Sequence, residues 1–276
     1  MQQYFFTTMK NSTSYKRAEM PKGTSSVLDL RTLENSNANL PEVLKKGQSV
    51  LDVGCGSGSI TKDIINYVGS EGKVTGIDRS QDLIDLANEN YKEVSNLSFL
   101  VGDILEFNTP EKWDVITIAR TLQWIENPKE IIDKLVTLLK PQGIICVLDY
   151  NHNLIEWSPS PPQSMIHFYT AFLNWRSDCG MDNGIGDTVQ NLFKDYAVKQ
   201  ITVSDQSEFV ERGMSNFEQQ ISIWQKVAKT RGNQLVADNY ITEEERIAAI
   251  EEYATWYKDS AKSMKLYLKA THIYFN

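Results

Sequence analysis

Val50-Leu51-Asp52-Val53-Gly54-Cys55-Gly56-Ser57-Gly58 is the stretch that decides the fold of this chain. An apolar strand runs into three alternating glycines and then into a segment where Ile60, Ile64, Ile65 and Val68 share one helical face. Glycines in a strand-to-helix turn let the backbone adopt conformations that a Cβ forbids, and let a ligand approach the main chain closely. Asp52 gives that cradle a sign. A carboxylate at the strand end repels a pyrophosphate and suits a ligand carrying cationic groups, such as an ammonium and a sulfonium.

Downstream the same rhythm repeats. A second strand, Lys73 to Ile77, ends at Asp78, and Ser80 is placed to N-cap a helix containing Leu83, Leu86 and Ala87. The third strand is Leu97 to Val101, closing on Gly102 and Asp103, and the fourth is Val115 to Ala119, opened by Trp113-Asp114. Asn127-Pro128-Lys129-Glu130 supplies an N-cap, a proline at the first helical position and an acid at the third. The helix it starts buries Ile131, Ile132, Leu135, Leu138 and Leu139; Pro141-Gln142-Gly143 stops it, and Ile144 to Leu148 is a fifth strand. Strands alternating with helices predict an α/β fold, a Rossmann-like doubly wound parallel sheet with helices on both faces.

Beyond Tyr150 the rhythm breaks. Residues 151–192 carry Trp157, the proline-rich Ser158 to Pro162, a helix from Gln163 to Arg176 and a glycine-marked stretch, which together read as a lid or substrate insertion. Ala197 to Val203 resumes the sheet, and residues 208–261 read as helical, with Ile221, Trp224 and Val227 on one face. A capping box at Thr242 to Glu245 starts a helix with Ile247, Ile250, Ala254 and Tyr257. Met264, Leu266, Leu268 and Ala270 then alternate with polar neighbours as a closing strand. The first 25 residues are polar around Tyr4, Phe5 and Phe6, either a loosely ordered arm or a flap over the cleft.

A chain of 276 residues with 41% hydrophobic content can bury a sizeable core, and a formal charge of −8 disfavours a surface built to neutralise nucleic-acid phosphates. No run approaches ~18 consecutive apolar residues and Met1 to Lys10 lacks a signal-peptide core, so neither a membrane span nor secretion is expected. Cys55, Cys146 and Cys179 have no metal-type spacing, which points to a reducing, cytoplasmic setting and no metal site. Cys55 reads as a small residue packed beside a ligand in preference to a nucleophile. Oligomeric state leaves no signature in the sequence.

These motifs resemble those of class I S-adenosylmethionine-dependent methyltransferases, of the broad type that includes the ubiquinone and menaquinone biosynthesis enzymes. Asp52 to Gly58 is similar to that family's first motif, Gly76-Ile77-Asp78 to the second and Gly102-Asp103 to the third. Leu139-Lys140-Pro141-Gln142-Gly143 is similar to a motif that usually ends Pro-Gly-Gly, with Gln142 replacing the first glycine. The resemblance is strong over residues 28–150. It implies a single methyltransferase domain over 1–276: an arm or flap at 1–30, a cofactor-binding core at 31–150, the insertion at 151–192, and remaining strands and C-terminal helices at 193–276. It also implies about seven strands in the order 3-2-1-4-5-7-6 with the last antiparallel.

The implied cofactor is S-adenosylmethionine, with S-adenosylhomocysteine as product. Gly54, Cys55 and Gly56 then let backbone groups approach its amino-acid part, with Asp52 near the ammonium directly or through water. Asp78 takes the two ribose hydroxyls, Arg79 and Ile104 sandwich the adenine, Asp103 accepts from the adenine amine, and Arg120 serves the methionine end. Each acid also has a plain reading as a helix cap or turn closer.

Methyl transfer from an activated sulfonium is an in-line displacement that alignment and desolvation can drive without a dedicated base. His152, at the end of the fifth strand, is the candidate base if one is needed, with a structural role as its alternative. Trp124, Tyr150, Trp157, Tyr169 and Trp175, with Phe168 and Phe172, are candidate walls of a pocket for a small-molecule acceptor, or simply core. Two rival readings are a cofactor-binding module without turnover and an NAD-dependent oxidoreductase. The oxidoreductase fingerprint G-x-G-x-x-G is not matched, because Ser59 stands where its third glycine belongs. A closed, aromatic-lined cavity above the fifth strand would favour an enzyme, and a filled one the module.

Overall fold

The computed structural model describes residues 13–21 and 31–276. The elements that place the site are helix α1 (Thr13–Ala18), strand β1 (Ser49–Val53), α2 (Thr61–Val68), β2 (Lys73–Asp78), α3 (Gln81–Tyr91), β3 (Leu97–Val101), β4 (Trp113–Ala119) and α4 (Pro128–Leu138). They are followed by β5 (Leu139–Ser158), α5 (Gln163–Ser177), β6 (Val198–Asp205), β7 (Glu208–Glu211), α6 (Ile223–Thr230), α7 (Glu243–Asp259) and β8 (Ser263–Phe275).

One sheet runs in the order β3-β2-β1-β4-β5-β8-β6, with β7 pairing β8 off that path. β1, β2, β3, β4 and β5 are mutually parallel, and β8 is antiparallel to both β5 and β6. This is the expected order with one additional short strand. β1 reads apolar on both faces because both are covered: Val50 packs with Ile64, Val68 and Val74 on one side, and Leu51 and Val53 pack with Ile116, Ile132 and Leu135 on the other. Ser80 accepts from the Leu83 amide at 3.4 Å and starts α3 as its sequence suggests. Asn127 holds the N-cap position of α4 but its side chain makes no capping bond, so Pro128 at the first turn starts that helix.

Two further expectations are corrected. β5 does not stop at Leu148; it continues to Ser158, and Glu156, Trp157 and Ser158 pair with β8 beyond an irregularity after Asn151. The start of the 151–192 insertion is therefore sheet, because β8 is long enough to supply partners for a doubled strand. Residues 208–211 are strand, not helix, for the same reason. The buried face of α7 is Ala249, Tyr253, Trp256 and Tyr257, while Ile247 is exposed. Gln142 takes a φ of 62°, which explains why glycine is usual at that position of the motif it departs from.

The helices after β5 do not form a separate lid. Met165, Phe168, Phe172 and Trp175 of α5 join Trp224 of α6, Tyr253 of α7 and Leu268 of β8 in one buried cluster that caps the sheet. Tyr4, Phe5 and Phe6 lie outside the described residues, and the expected arm or flap over 1–30 is described only at 13–21 and from 31 onward.

Gly58 sits at φ 77°, and a Cβ there would lie 2.5 Å from the Phe99 ring. Gly58→Ala is expected to lose about 1–3 kcal/mol of stability, the scale of one strained backbone position. Urea unfolding followed by far-UV circular dichroism measures it; an unchanged midpoint would contradict the packing described.

Candidate functional site

The C-terminal ends of parallel strands leave a crevice where the chain order reverses, here between β1, β2 and β4. A cleft of about 530 Å³ lies there. Its floor is the glycine turn, stitched to the end of β2: the Gly54 and Cys55 amides donate to the Ile77 carbonyl at 2.8 and 3.2 Å, and the Gly56 amide donates to Asp78 Oδ2 at 2.9 Å. Gly54 has φ 75° and a Cβ there would collide with Thr121 Oγ1 at 2.2 Å, so β4's following loop closes directly on the turn.

The acids differ in how they are held. Asp78 also accepts from the Ser80 amide at 2.9 Å through Oδ1, so two backbone donors fix its carboxylate at the cleft wall. Asp103 accepts from the Leu105 amide at 2.9 Å and caps a short 3-10 turn, presenting buried Ile104 beside it. Asp52 is buried, and Thr61 Oγ1 donates to its Oδ2 at 2.6 Å. Burial pushes its pKa up to about 6, Thr61 opposes the shift and the Asp78 charge adds to it. Burial, with Asp52 and Asp78 nearby, also pushes the Cys55 thiol well up, and its sulfur lies where a Cβ on Gly76 would meet it at 2.8 Å. It is packing, not a thiolate nucleophile.

The opposite wall is cationic. Arg120 takes a φ of 55° just past β4 and is nearly buried. Its guanidinium donates to Tyr150 Oη at 3.1 Å, the Ser36 carbonyl at 2.7 Å and Glu208 Oε1 at 2.8 Å. Burial lowers its pKa, but Tyr150 and Glu208 outweigh that and hold it above the ordinary value. Arg31 lines the cleft near this cluster and forms no ion pair among the described residues. Sequence reasoning passed over Arg31 because it lies before the first regular strand, in no motif.

Helix α1 crosses the cleft. Ser14 Oγ donates to Glu126 Oε2 at 2.7 Å, and the Arg79 guanidinium stacks 4.0 Å from the Tyr15 ring centre. At the other end Arg17 pairs with Asp238 at 3.0 Å, and Arg231 Nη1 donates to the Arg17 and Glu19 carbonyls at 2.6 and 2.7 Å. Arg231 lies 4.1 Å from the centre of the Trp124 ring.

Asp52, Gly54, Cys55, Gly56, Asp78, Arg79, Asp103, Ile104, Arg120 and Trp124 all line this one cleft. The other candidates do not. His152 is packed among Tyr150, Phe172 and Trp224, and its Nε2 faces Gln123 Oε1 at 2.7 Å. Burial, then the Arg176 charge, lowers its pKa well below the ordinary value, so the ring is a neutral structural group. This corrects its expected place facing an acceptor: the continued β5 carries it under the helical cap.

Tyr150 is tied to Arg120 and Glu208, Trp157 donates to Tyr253 at 3.2 Å, Tyr169 donates to the His152 carbonyl, and Trp175 donates to Asp238 at 2.7 Å. The space above the fifth strand is filled by this aromatic layer, the outcome set out for a module without turnover. The open volume lies instead beside it over β1 to β4, where Trp124 and the glycine turn line it, so the fifth strand is the wrong place to apply that criterion. Among the described residues no cluster of His, Cys, Asp or Glu could hold a metal ion, and no helix is long and apolar enough to cross a membrane.

A family model described as a methyltransferase domain matches residues 44–273. An uncharacterised methyltransferase of Schizosaccharomyces pombe is 32% identical over 125 residues, covering 42% of this chain and 45% of that protein. A malonyl-[acyl-carrier protein] O-methyltransferase of Acetivibrio thermocellus is 28% identical over 152 residues, covering 55% and 50%. The chain thus spans about half the length of these curated relatives. Haemonchus contortus phosphoethanolamine N-methyltransferase 2, solved in complex with S-adenosyl-L-methionine, shares the fold with a TM-score of 0.55 at 14% identity, covering 92% of this chain and 53% of that one.

Asp52 binds its proton more tightly folded than unfolded, so its burial costs nothing below about pH 4, the ordinary carboxylate range, and the full penalty above about pH 6. Asp52→Asn keeps an acceptor for Thr61 and removes the charge. It is expected to be more stable than the parent at pH 7 by about 2 kcal/mol, with the difference closing at pH 4. Urea midpoints at the two pH values measure this, and a pH-independent difference would refute the assignment.

Proposed function

Because this chain belongs to the methyltransferase-domain family, whose model it matches over residues 44–273, we propose that it transfers a methyl group from S-adenosylmethionine to a small-molecule acceptor. The observation that supports this is the charge at the strand ends of one cleft: among its acidic residues Asp52, Asp78 and Asp103 stand at or just past the ends of β1, β2 and β3, and Arg31, which forms no ion pair among the described residues, lines the same cleft. The cofactor's charges are complementary to that set, with an ammonium and sulfonium for acids and a carboxylate for Arg31. Asp52 beside the glycine turn would repel a dinucleotide pyrophosphate placed there.

When bound, the cofactor supplies a methyl carbon whose bond to sulfur breaks as the acceptor's electron pair forms the new bond, leaving S-adenosylhomocysteine. The chain's own residues then have distinct roles. Asp78, preset by the Gly56 and Ser80 amides, would accept from the ribose hydroxyls without reorganising. Asp103 and Ile104 would bound the adenine on one side and Arg79 on the other. Asp52 would lose its burial penalty beside a cation. Arg31, not the already paired Arg120, is the better candidate for the cofactor carboxylate; Arg120 would set the wall through Tyr150, Glu208 and Ser36. Helix α1 over the cleft would exclude water. Since His152 is turned away, the reading needs no protein base: alignment and desolvation supply the acceleration, and an acceptor proton leaves to solvent. Three free cysteines fit a cytoplasmic setting.

Calorimetric titration should show S-adenosylhomocysteine binding and no binding of NAD. Asp78→Asn should weaken S-adenosylhomocysteine by roughly 10-fold or more, the scale of one charge-assisted pair. Release of S-adenosylhomocysteine on incubation with pooled small metabolites would establish turnover. Binding without any turnover would leave a cofactor-binding module, and NAD binding in its place would overturn the proposal.

A further inference from the structure

Arg231 is 6% exposed, yet it lines the cleft and has no carboxylate partner among the described residues. Its hydrogen bonds all run from Nη1, to the carbonyls of Arg17 and Glu19 and to Gln234 Oε1 at 3.2 Å, all neutral acceptors. Nε and Nη2 make no bond to the described residues. They are not among the atoms sealed from solvent without a partner, and the residue lines the cleft. The guanidinium lies over Trp124, and the wholly buried Arg176 guanidinium lies over the same indole at 4.8 Å. Burial, then Arg176 and Arg79, lowers the Arg231 pKa to about 9, and no acid offsets them.

A desolvated cation beside two like charges is costly unless something anionic completes it. Glu126, at the same wall, is engaged by Ser14 instead. Arg31 has an occupant in the proposed reading, the cofactor's carboxylate; Arg231 has none. A guanidinium with one edge free, laid on an indole, is suited to a planar carboxylate or a phosphate.

Resting on the proposed methyltransferase reading, we infer that the acceptor is a small anion whose carboxylate or phosphate group is held by the free edge of Arg231 against Trp124. The acidic surface of the chain does not oppose it, because the group is met inside the cleft.

The test uses the full chain saturated with S-adenosylhomocysteine, with benzoate, phenyl phosphate and benzamide as probes followed by ligand-observed NMR. Benzoate or phenyl phosphate should bind at least tenfold tighter than benzamide, and whichever is tighter identifies the anionic group as carboxylate or phosphate. In Arg231→Gln the preference over benzamide should vanish. Arg231 also holds α1, so Arg17→Ala serves as the control: it releases the same helix from Asp238 and leaves the Arg231 edge intact, and should keep the preference.

Equal binding of benzamide, a preference that survives Arg231→Gln, or one lost equally in Arg17→Ala would each overturn the inference. Failure of S-adenosylhomocysteine itself to bind would instead remove the reading beneath it.

Discussion

The two hydrogen bonds from Gly54 and Cys55 to the Ile77 carbonyl, together with that from Gly56 to Asp78, are the constraint on which the site depends. They clamp the turn after β1 to the last residues of β2. Parallel pairing alone aligns the strands and leaves their terminal loops free; these bonds convert two loops into one floor. Asp78 joins the scaffold to the cleft, since the carboxylate whose oxygens accept the amides also lines it. A residue loaded in that way is preorganised at no further entropic cost when a ligand arrives.

The floor could be read from sequence because every link in it is local. A strand, glycines at positions of positive φ and an acid at the end of the next strand are each specified within a few residues, and parallel pairing then brings them together. The sheet order is not local in this sense; it is implied by the resemblance of these motifs to a known family, and the structure has it. The walls are another matter. Arg31, Tyr15, Glu126 and Arg231 reach the cleft from segments that follow no periodic pattern, and they meet only through contacts across the chain, as with Arg231 and Arg17, 214 positions apart.

The misplacement of His152 and the aromatics has a single physical origin. Ile144 to Leu148 is uniformly apolar and reads as a complete buried strand, yet the thirteen residues of β8 offer pairing well beyond it. Backbone groups that can find sheet partners do so in preference to forming a loop. β5 therefore carries Tyr150 and His152 past the crevice and under the helices. Periodicity within β5 could not reveal this, because the cause lies more than a hundred residues downstream.

That extension also explains the division of labour between the two arginine walls. Doubling β5 against β8 brings Tyr150 and the start of β7 together, so Glu208 and the Tyr150 hydroxyl absorb the charge of Arg120. Arg120 becomes a fixed part of the scaffold, and the cations left for ligands are those supplied by irregular segments, Arg31 before the sheet and Arg231 between helices. A methyltransferase-domain core can then keep its cofactor floor unchanged while the segments around it alter the charge presented to an acceptor. Floor and wall answer to different parts of the chain, and the unpaired cations that line the cleft are written in the part with no motif.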